Sequence, residues 1–363
     1  MESAKKTPLY ERHAAQGAVF GETGGFFLPK SYGDPEGEAK AVRESVGVID
    51  ISSRGKLMLS GADHIKFLQG MLTNDVEEKT PGTGAHAAIL TPKGKMISDM
   101  RVFKNEDSVY MDTEPGTSGN IAELLRKFRL SYKAEVLDVT EDYCVFHVCG
   151  PGCGELIEKR LGVDVKQMKE YDHRACGEAT LMKLNRTGET GFDVLFENLG
   201  AKKIWELLLE NPPVPGLCGQ EALETLRIEA GIPVYGKDMD ISTIPIEAGI
   251  WDALDFEKGC YVGQEVIARI KWRGRVNWHL AYFEAQQDGS ALPGNTLWVK
   301  EKKVGRITSS TYSPTLGKNI SIGYIRREFR DFQGEISVGG EDLVNKTPNT
   351  VKTTGKPFYS RFE

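Results

Sequence analysis

The sequence predicts an α+β chain, two mixed helix-and-strand modules followed by a C-terminal module of strands alone. Three observations carry this. Upstream of Trp278, helical spacings of apolar residues interleave with short antiparallel-type strands. Downstream of it only short strands separated by turns are found, the pattern of a small β-sandwich or barrel. The 363 residues, 40% hydrophobic and 27% charged, suit a globular chain of two or three domains.

The elements follow in order. Lys56-Leu57-Met58-Leu59 reads as a strand, and Ser60 as the N-cap of a helix whose apolar face is Ile65, Leu68 and Leu72. Residues 86–91 and 96–104 flank a Pro92-Lys93-Gly94 turn and form a hairpin, with Val109-Tyr110-Met111 as a third strand. Ile121, Leu124, Leu125 and Phe128 recur at i, i+3, i+4 and i+7, an amphipathic helix. Strands follow at 134–139, 144–149, 180–184 and 192–196, with helices at 155–161 and 204–209. The clearest linker is Asn211-Pro212-Pro213-Val214-Pro215-Gly216, and the helix after it carries Leu223, Leu226 and Ala230 on one face. The last module has strands at 279–284, 304–309, 320–325 and 335–338.

Composition excludes several classes. The longest apolar runs are strand-sized, far below the ~20 residues that span a bilayer, so no membrane partner is expected. The polar N-terminus is no secretory signal. A net charge of −6 argues against direct nucleic-acid binding, though a local basic patch can still hold an anion. The six cysteines make no C-x-x-C pair and the six histidines no metal-like or triad-like spacing. The expectation is a reduced, cytoplasmic protein without a metal site. No Gly-rich phosphate loop is present.

Individual residues carry the chemistry. Asp99 lies mid-strand, on the same face as Ile97, Arg101 and Phe103. It is either the ion-pair partner of Arg101 or a carboxylate aimed into a pocket. Asp193 opens a strand after Thr187-Gly188-Glu189-Thr190-Gly191, where a carboxylate is solvated or ligand-facing. Arg227 is placed to pair with Glu224 or Glu229, or to grip an anion. Cys260 is flanked by glycine in Lys258-Gly259-Cys260-Tyr261-Val262-Gly263-Gln264-Glu265; it is a small hydrophobe or a thiol activated by Lys258. If the following stretch is extended, Arg269, Lys271, Arg273 and Arg275 fall on one face. They would then draw an anionic group, or keep a solvated edge strand from aggregating.

Taken together, these segments resemble the folate-binding superfamily of the glycine-cleavage T-protein (aminomethyltransferase) and its YgfZ relatives. The resemblance rests on Thr7-Pro8-Leu9-Tyr10, Ala41-Val42-Arg43-Glu44-Ser45, Ile49-Asp50-Ile51-Ser52, Phe67-Leu68-Gln69 and Thr73-Asn74-Asp75-Val76. Thr187-Gly188-Glu189, residues 226–231, Tyr235-Gly236, Pro245-Ile246-Glu247-Ala248-Gly249, residues 304–309 and Ser313-Pro314-Thr315-Leu316 continue it in order.

It implies a three-domain cloverleaf around a folate site, with lobes at 1–57 plus 138–218 and 58–137 plus 219–272, then a β-barrel at 273–363. Asp99 matches the reactive-site aspartate, Arg227 a folate-contacting arginine, and Asp193 the position of a pterin-gripping glutamate. Tyr110 and Trp251 fall among the cofactor-binding positions, Trp251 one residue off the family tryptophan. The cofactor implied is tetrahydrofolate, its anionic tail suited to the cations at 269–275. The partner implied is a lipoyl carrier protein entering by the opposite mouth.

Three departures stand out. The T-protein Ser-His-Met is here Ser52-Ser53-Arg54, its Asn-Ala is Glu114-Pro115, and its glutamate is Asp193, one methylene shorter. Residues 258–265, with the Ala268-Arg269-x-Lys271-x-Arg273-Gly274 run, look instead like the YgfZ motif. The leading expectation is a tetrahydrofolate-dependent aminomethyltransferase. The alternatives are a YgfZ-type accessory factor of iron–sulfur enzymes and tRNA modification, or a folate-dependent demethylase.

Overall fold

In the computed structural model, which describes residues 4–210, 214–286, 291–339 and 349–360, three large sheets organise the chain. The first runs His173–Cys176, Ala179–Lys183, Gly191–Glu197, Tyr143–Cys149, Gly47–Asp50, Gly216–Cys218, antiparallel except for its last pair. The second runs Thr83–Leu90, Met96–Lys104, Ser108–Thr113, Gly55–Ser60, Glu135–Asp138, antiparallel throughout. The third is a closed six-stranded barrel that begins at Trp278–Ala285 and closes where that strand pairs with Asn349–Thr353.

Period-2 alternation gives each of the first two sheets two kinds of face. One face of the first sheet packs Phe146 and Phe196 against Trp205 and Leu208 of the Ala201–Leu209 helix. One face of the second packs Leu57, Val102 and Met111 against Leu68 of the His64–Met71 helix and Leu125 of the Ser118–Phe128 helix. The remaining faces meet each other. Ile49, Val145, Met182 and Leu195 of the first sheet share a core with Phe103 and Tyr110 of the second.

The chain passes between these sheets at residues 51–54 and again at 139–142, so each sheet is built from separated segments. Lys56 binds the two crossings together. Fully buried, its Nζ donates to the carbonyls of Ser52 (2.8 Å), Arg54 (3.0 Å) and Thr140 (3.0 Å). Burial lowers its pKa from 10.5 to about 8.

The structure corrects several local expectations. Ser60 ends its strand, and the helix behind it starts at His64 with Asp63 at the N-cap. The basic run is not extended: Gln264–Arg273 is an α-helix. Ile267 and Ile270 face the same core three residues apart, and this spacing prevails over the alternation of cations. The helix sets Lys271 on a different face from Arg269 and Arg273, and Arg275 lies beyond its end, so the four cations do not share one face; Arg269 pairs with Glu265 four residues back. Gly263 starts that helix at φ +87° beside the hairpin turn, where a Cβ would lie 2.6 Å from the Thr91 carbonyl. Strands at Gly47–Asp50, Gly216–Cys218, Thr296–Val299 and Asn349–Thr353 were not predicted; each has no more than five residues, too few for a periodicity.

The buried lysine yields a test. Between pH 8 and 10.5 the unfolded chain keeps the Lys56 proton that the folded chain has released, so rising pH favours the folded state. Urea midpoints taken at pH 7.5 and 10 should show wild type gaining stability relative to Lys56→Met across that interval. A constant difference would contradict the burial effect.

Candidate functional site

The meeting faces of the two sheets are apolar at one end and ionic at the other. Strand register assembles the ionic end. His86, Arg101, Asp112 and Lys56 lie opposite one another across four successive strands of the second sheet, and Asp99 projects from the same face as Arg101. From the first sheet come His147 and Asp193, a directly opposed pair.

These groups form one continuous chain of alternating acids and bases. Asp252 meets His86 Nδ1 at 3.1 Å, and His86 Nε2 meets Asp99 at 2.8 Å. Arg101 Nη1 bridges Asp99 (3.3 Å) and Glu114 (3.2 Å). Arg54 holds Glu114 at 2.9 Å and Asp112 through two bonds of 2.5 and 2.8 Å. Arg186 joins Asp112 (2.7 Å) to Asp193 (2.6 Å), and His147 Nδ1 closes the chain on Asp193 at 2.7 Å.

The protonation states follow from the partners. Both ring nitrogens of His86 face carboxylate oxygens, so the ring is fully satisfied only as an imidazolium. Burial and the nearby Arg101 oppose that charge, yet the bonds to Asp252 and Asp99 outweigh them and raise the His86 pKa. Burial disfavours Asp99 ionisation, but Arg101 and then His86 hold its pKa below the usual carboxylate range. Asp112 and Asp193 are depressed in the same way, burial being overcome chiefly by Arg186. His147 is pushed down by burial and donates from Nδ1 as a neutral ring.

Two cavities flank this chain. One, of about 370 Å³, has Ile51, Leu223, Ile232 and Val234 as apolar lining and Arg54, Glu114, Glu224, Arg227 and Lys237 as polar lining. The other, of about 550 Å³, is lined by His86, Glu170, Tyr171, Lys183, Asn185 and Asp252 among others. Arg101 and Ile232 belong to both, so they form the common wall.

The sequence-predicted residues divide accordingly. Asp99 is only 1% exposed and sits behind the Arg101 wall; the ion pair is present, and its Oδ1 is buried without a partner. Arg227 lines the smaller cavity, its guanidinium already bonded to Glu224, Asp238, Ser309 and the Ile232 carbonyl. Asp193 lines neither cavity and is neither solvated nor open to a ligand: Arg186 and His147 enclose it. Tyr110 projects into a separate inter-sheet void of about 100 Å³ beside Phe103.

Trp251, 50% exposed, stands on the rim of neither large cavity but next to Asp252. Cys260 is exposed, and the Lys258 amine is turned away to the carbonyls of Gln69, Leu72 and Asn74 at 2.8–2.9 Å. The thiol-activating pairing is thus absent. Burial lowers that amine's pKa to about 8. None of Arg269, Lys271, Arg273 or Arg275 lines either large cavity; the cations that line the smaller one besides Arg227 are Arg54, Arg101, Arg186 and Lys237.

The comparisons with known proteins agree with this architecture. The GCVT N-terminal domain profile matches residues 9–258, and the glycine cleavage T-protein C-terminal barrel domain profile matches 279–360. The chain belongs to the glycine-cleavage T-protein family. Its relatives in that family include the aminomethyltransferases of Desulforamulus reducens (29% identical, covering 99% of this chain and 100% of that one) and Bacillus licheniformis (31%, covering 98% and 99%). The crystal structure of glycine cleavage system aminomethyltransferase T from Bartonella henselae superposes with a TM-score of 0.89 over 98% of both chains at 21% identity, which shows the shared fold. Among the described residues, no group of His, Cys, Asp and Glu is arranged to hold a metal, and no helix is long and apolar enough to cross a membrane.

Sequence reasoning missed His86, Arg54, Asp112, Arg186 and Asp252 as members of the ionic chain. Removing one link of the ionic chain should be costly. Arg186→Met leaves Asp112 and Asp193 facing each other without their shared cation. Urea denaturation at pH 7 should show a loss of about 3–5 kcal/mol. The loss should shrink as pH falls below about 4, where the unfolded carboxylates take up protons.

Proposed function

We propose that this chain binds tetrahydrofolate in the smaller cavity and serves a one-carbon transfer of the aminomethyltransferase type. The observation that carries the reading is Asp99, an ionised and buried carboxylate with one unpartnered oxygen behind the wall of that cavity. The cavity volume lies in the range of small-molecule sites. Its donor set suits a reduced folate. Glu114 retains lone pairs for the ring N–H and amino donors of a pterin, and Lys237, exposed beside Glu224, suits an anionic tail.

Bound tetrahydrofolate supplies a nucleophilic ring nitrogen that accepts the one-carbon unit. The chain's own part is electrostatic. Asp99 opposes positive charge developing on the carbon and nitrogen of the incoming group, in a site sheltered from water where such charge counts most. His86 keeps that carboxylate ionised and fixes its orientation. Arg101 screens it until a ligand displaces one of the contacts.

One observation favours a second reading, a folate-binding accessory factor of the YgfZ kind. Both His86 and Arg101 already lie on the same Asp99 oxygen, so much of its charge is neutralised before any substrate arrives. Cys260 is meanwhile exposed on a segment apart from the ionic chain. A lipoyl carrier protein as partner belongs to the first reading and iron–sulfur machinery to the second.

Aminomethylated lipoyl carrier protein and tetrahydrofolate, with ammonia release as the readout, separate the two. The transferase reading expects turnover by wild type and a loss of roughly 10²–10³ in Asp99→Asn. Folate binding by calorimetry should be retained, because the amide keeps the shape. It further expects Cys260→Ala to be nearly silent. Undiminished turnover in Asp99→Asn would refute the role of Asp99. No turnover by wild type, with loss of complementation in Cys260→Ala, would establish the accessory role instead.

A further inference from the structure

Arg101 has bonding capacity that the folate reading leaves unused. Its Nη1 alone is engaged, by Asp99 at 3.3 Å and Glu114 at 3.2 Å; Nε and Nη2 bond to no described residue. The side chain is anchored from behind by two carboxylates and lines the larger cavity as well as the smaller. A guanidinium with one edge fixed and two nitrogens open is a fork for a planar oxyanion.

The same cavity also carries carboxylates, with Lys183 among them. Asp252 lines it with a side chain 57% exposed, held in place by His86 (3.1 Å) and by the Tyr171 hydroxyl (2.9 Å), and Glu170 lines it too. The two ends are close, since Arg101 and Asp252 are joined through only Asp99 and His86. A ligand of a single charge would be attracted at one end and repelled at the other. A small zwitterion satisfies both.

We infer that the larger cavity receives a small zwitterionic amino acid, its carboxylate on the open edge of Arg101 and its ammonium against Asp252. The inference does not rest on the preceding reading, which concerns the smaller cavity. It differs from the lipoyl arm that the family resemblance implies, because such an arm brings no carboxylate to Arg101.

The test is calorimetric titration of the full chain, without folate, using glycine, N-methylglycine and N,N-dimethylglycine. 2-Dimethylaminoethanol is the control, the same amine as N,N-dimethylglycine with a neutral hydroxymethyl group in place of the carboxylate. Saturable binding of at least one acid is expected, with the alcohol about tenfold or more weaker. Arg101→Lys keeps the charge and loses the fork; it should weaken the acid by about tenfold and leave the alcohol unaffected. Asp252→Asn, which keeps the shape and an oxygen for the Tyr171 hydroxyl, should weaken both.

The inference is overturned if none of the three acids saturates, if acid and alcohol bind alike, or if neither variant changes the acid's affinity. Binding of dihydrolipoamide in their place, insensitive to Arg101→Lys, overturns it equally. Titrating the same wild-type preparation with tetrahydrofolate reads the folate proposal separately, so either can fail alone.

Discussion

The alternating acid–base chain from Asp252 to His147 is the constraint on which the rest of the molecule depends. Its members come from both sheets and from the segments that connect them. Burying so many charges is unfavourable unless each has a partner of opposite sign with good geometry. Here every acid has a base on at least one side and most have one on both. The pairing therefore acts as a registry device: a slip of one residue in either sheet would turn a row of ionised groups into an apolar core. The two sheets can pack in one relative position only.

That position explains the hollow. The meeting faces close tightly where Phe103, Tyr110, Ile49 and Leu195 are in contact. At the ionic end, long guanidiniums hold the facing walls apart and leave cavities on both sides of Arg101. The crossings at 51–54 and 139–142, fastened by Lys56, bring Arg54 between the sheets, so a connecting segment supplies one of the central cations.

Two of the three departures from the T-protein pattern meet in space. Arg54 replaces the methionine of Ser-His-Met, Glu114 replaces the asparagine, and the structure bonds them to each other at 2.9 Å. The third, Asp193, is linked to Arg54 through Arg186 and Asp112. The cation at 54 and the carboxylate at 114 thus neutralise each other. Much of the smaller cavity's polar wall is thereby internally compensated, while Nε and Nη2 of Arg101 bond to no described residue.

Much of this was legible in the sequence. Apolar periodicity located the helices at His64–Met71, Ser118–Phe128, Cys153–Leu161, Ala201–Leu209 and Gln220–Glu229 and most of the long strands, because burial of one face is a property of the spacing itself. The Pro35–Glu44 helix was missed and Gln264–Arg273 was read as extended. The hairpin around Pro92-Lys93-Gly94 and the placement of Asp99 with Arg101 on one face followed from the same rule. What tertiary structure alone decided was who meets whom. Counting back from the Thr91–Lys95 turn would set His86 opposite Met100, on the wrong face; a bulge between Ile89 and Leu90 shifts it to Arg101, and no composition signal marks that bulge. Asp252 reaches His86 from 166 positions away, and Arg186 reaches Asp112 across 74. Local spacing determines which way a side chain faces; the partner of a buried charge is determined by the packing of sheets, and that is a property of the whole chain.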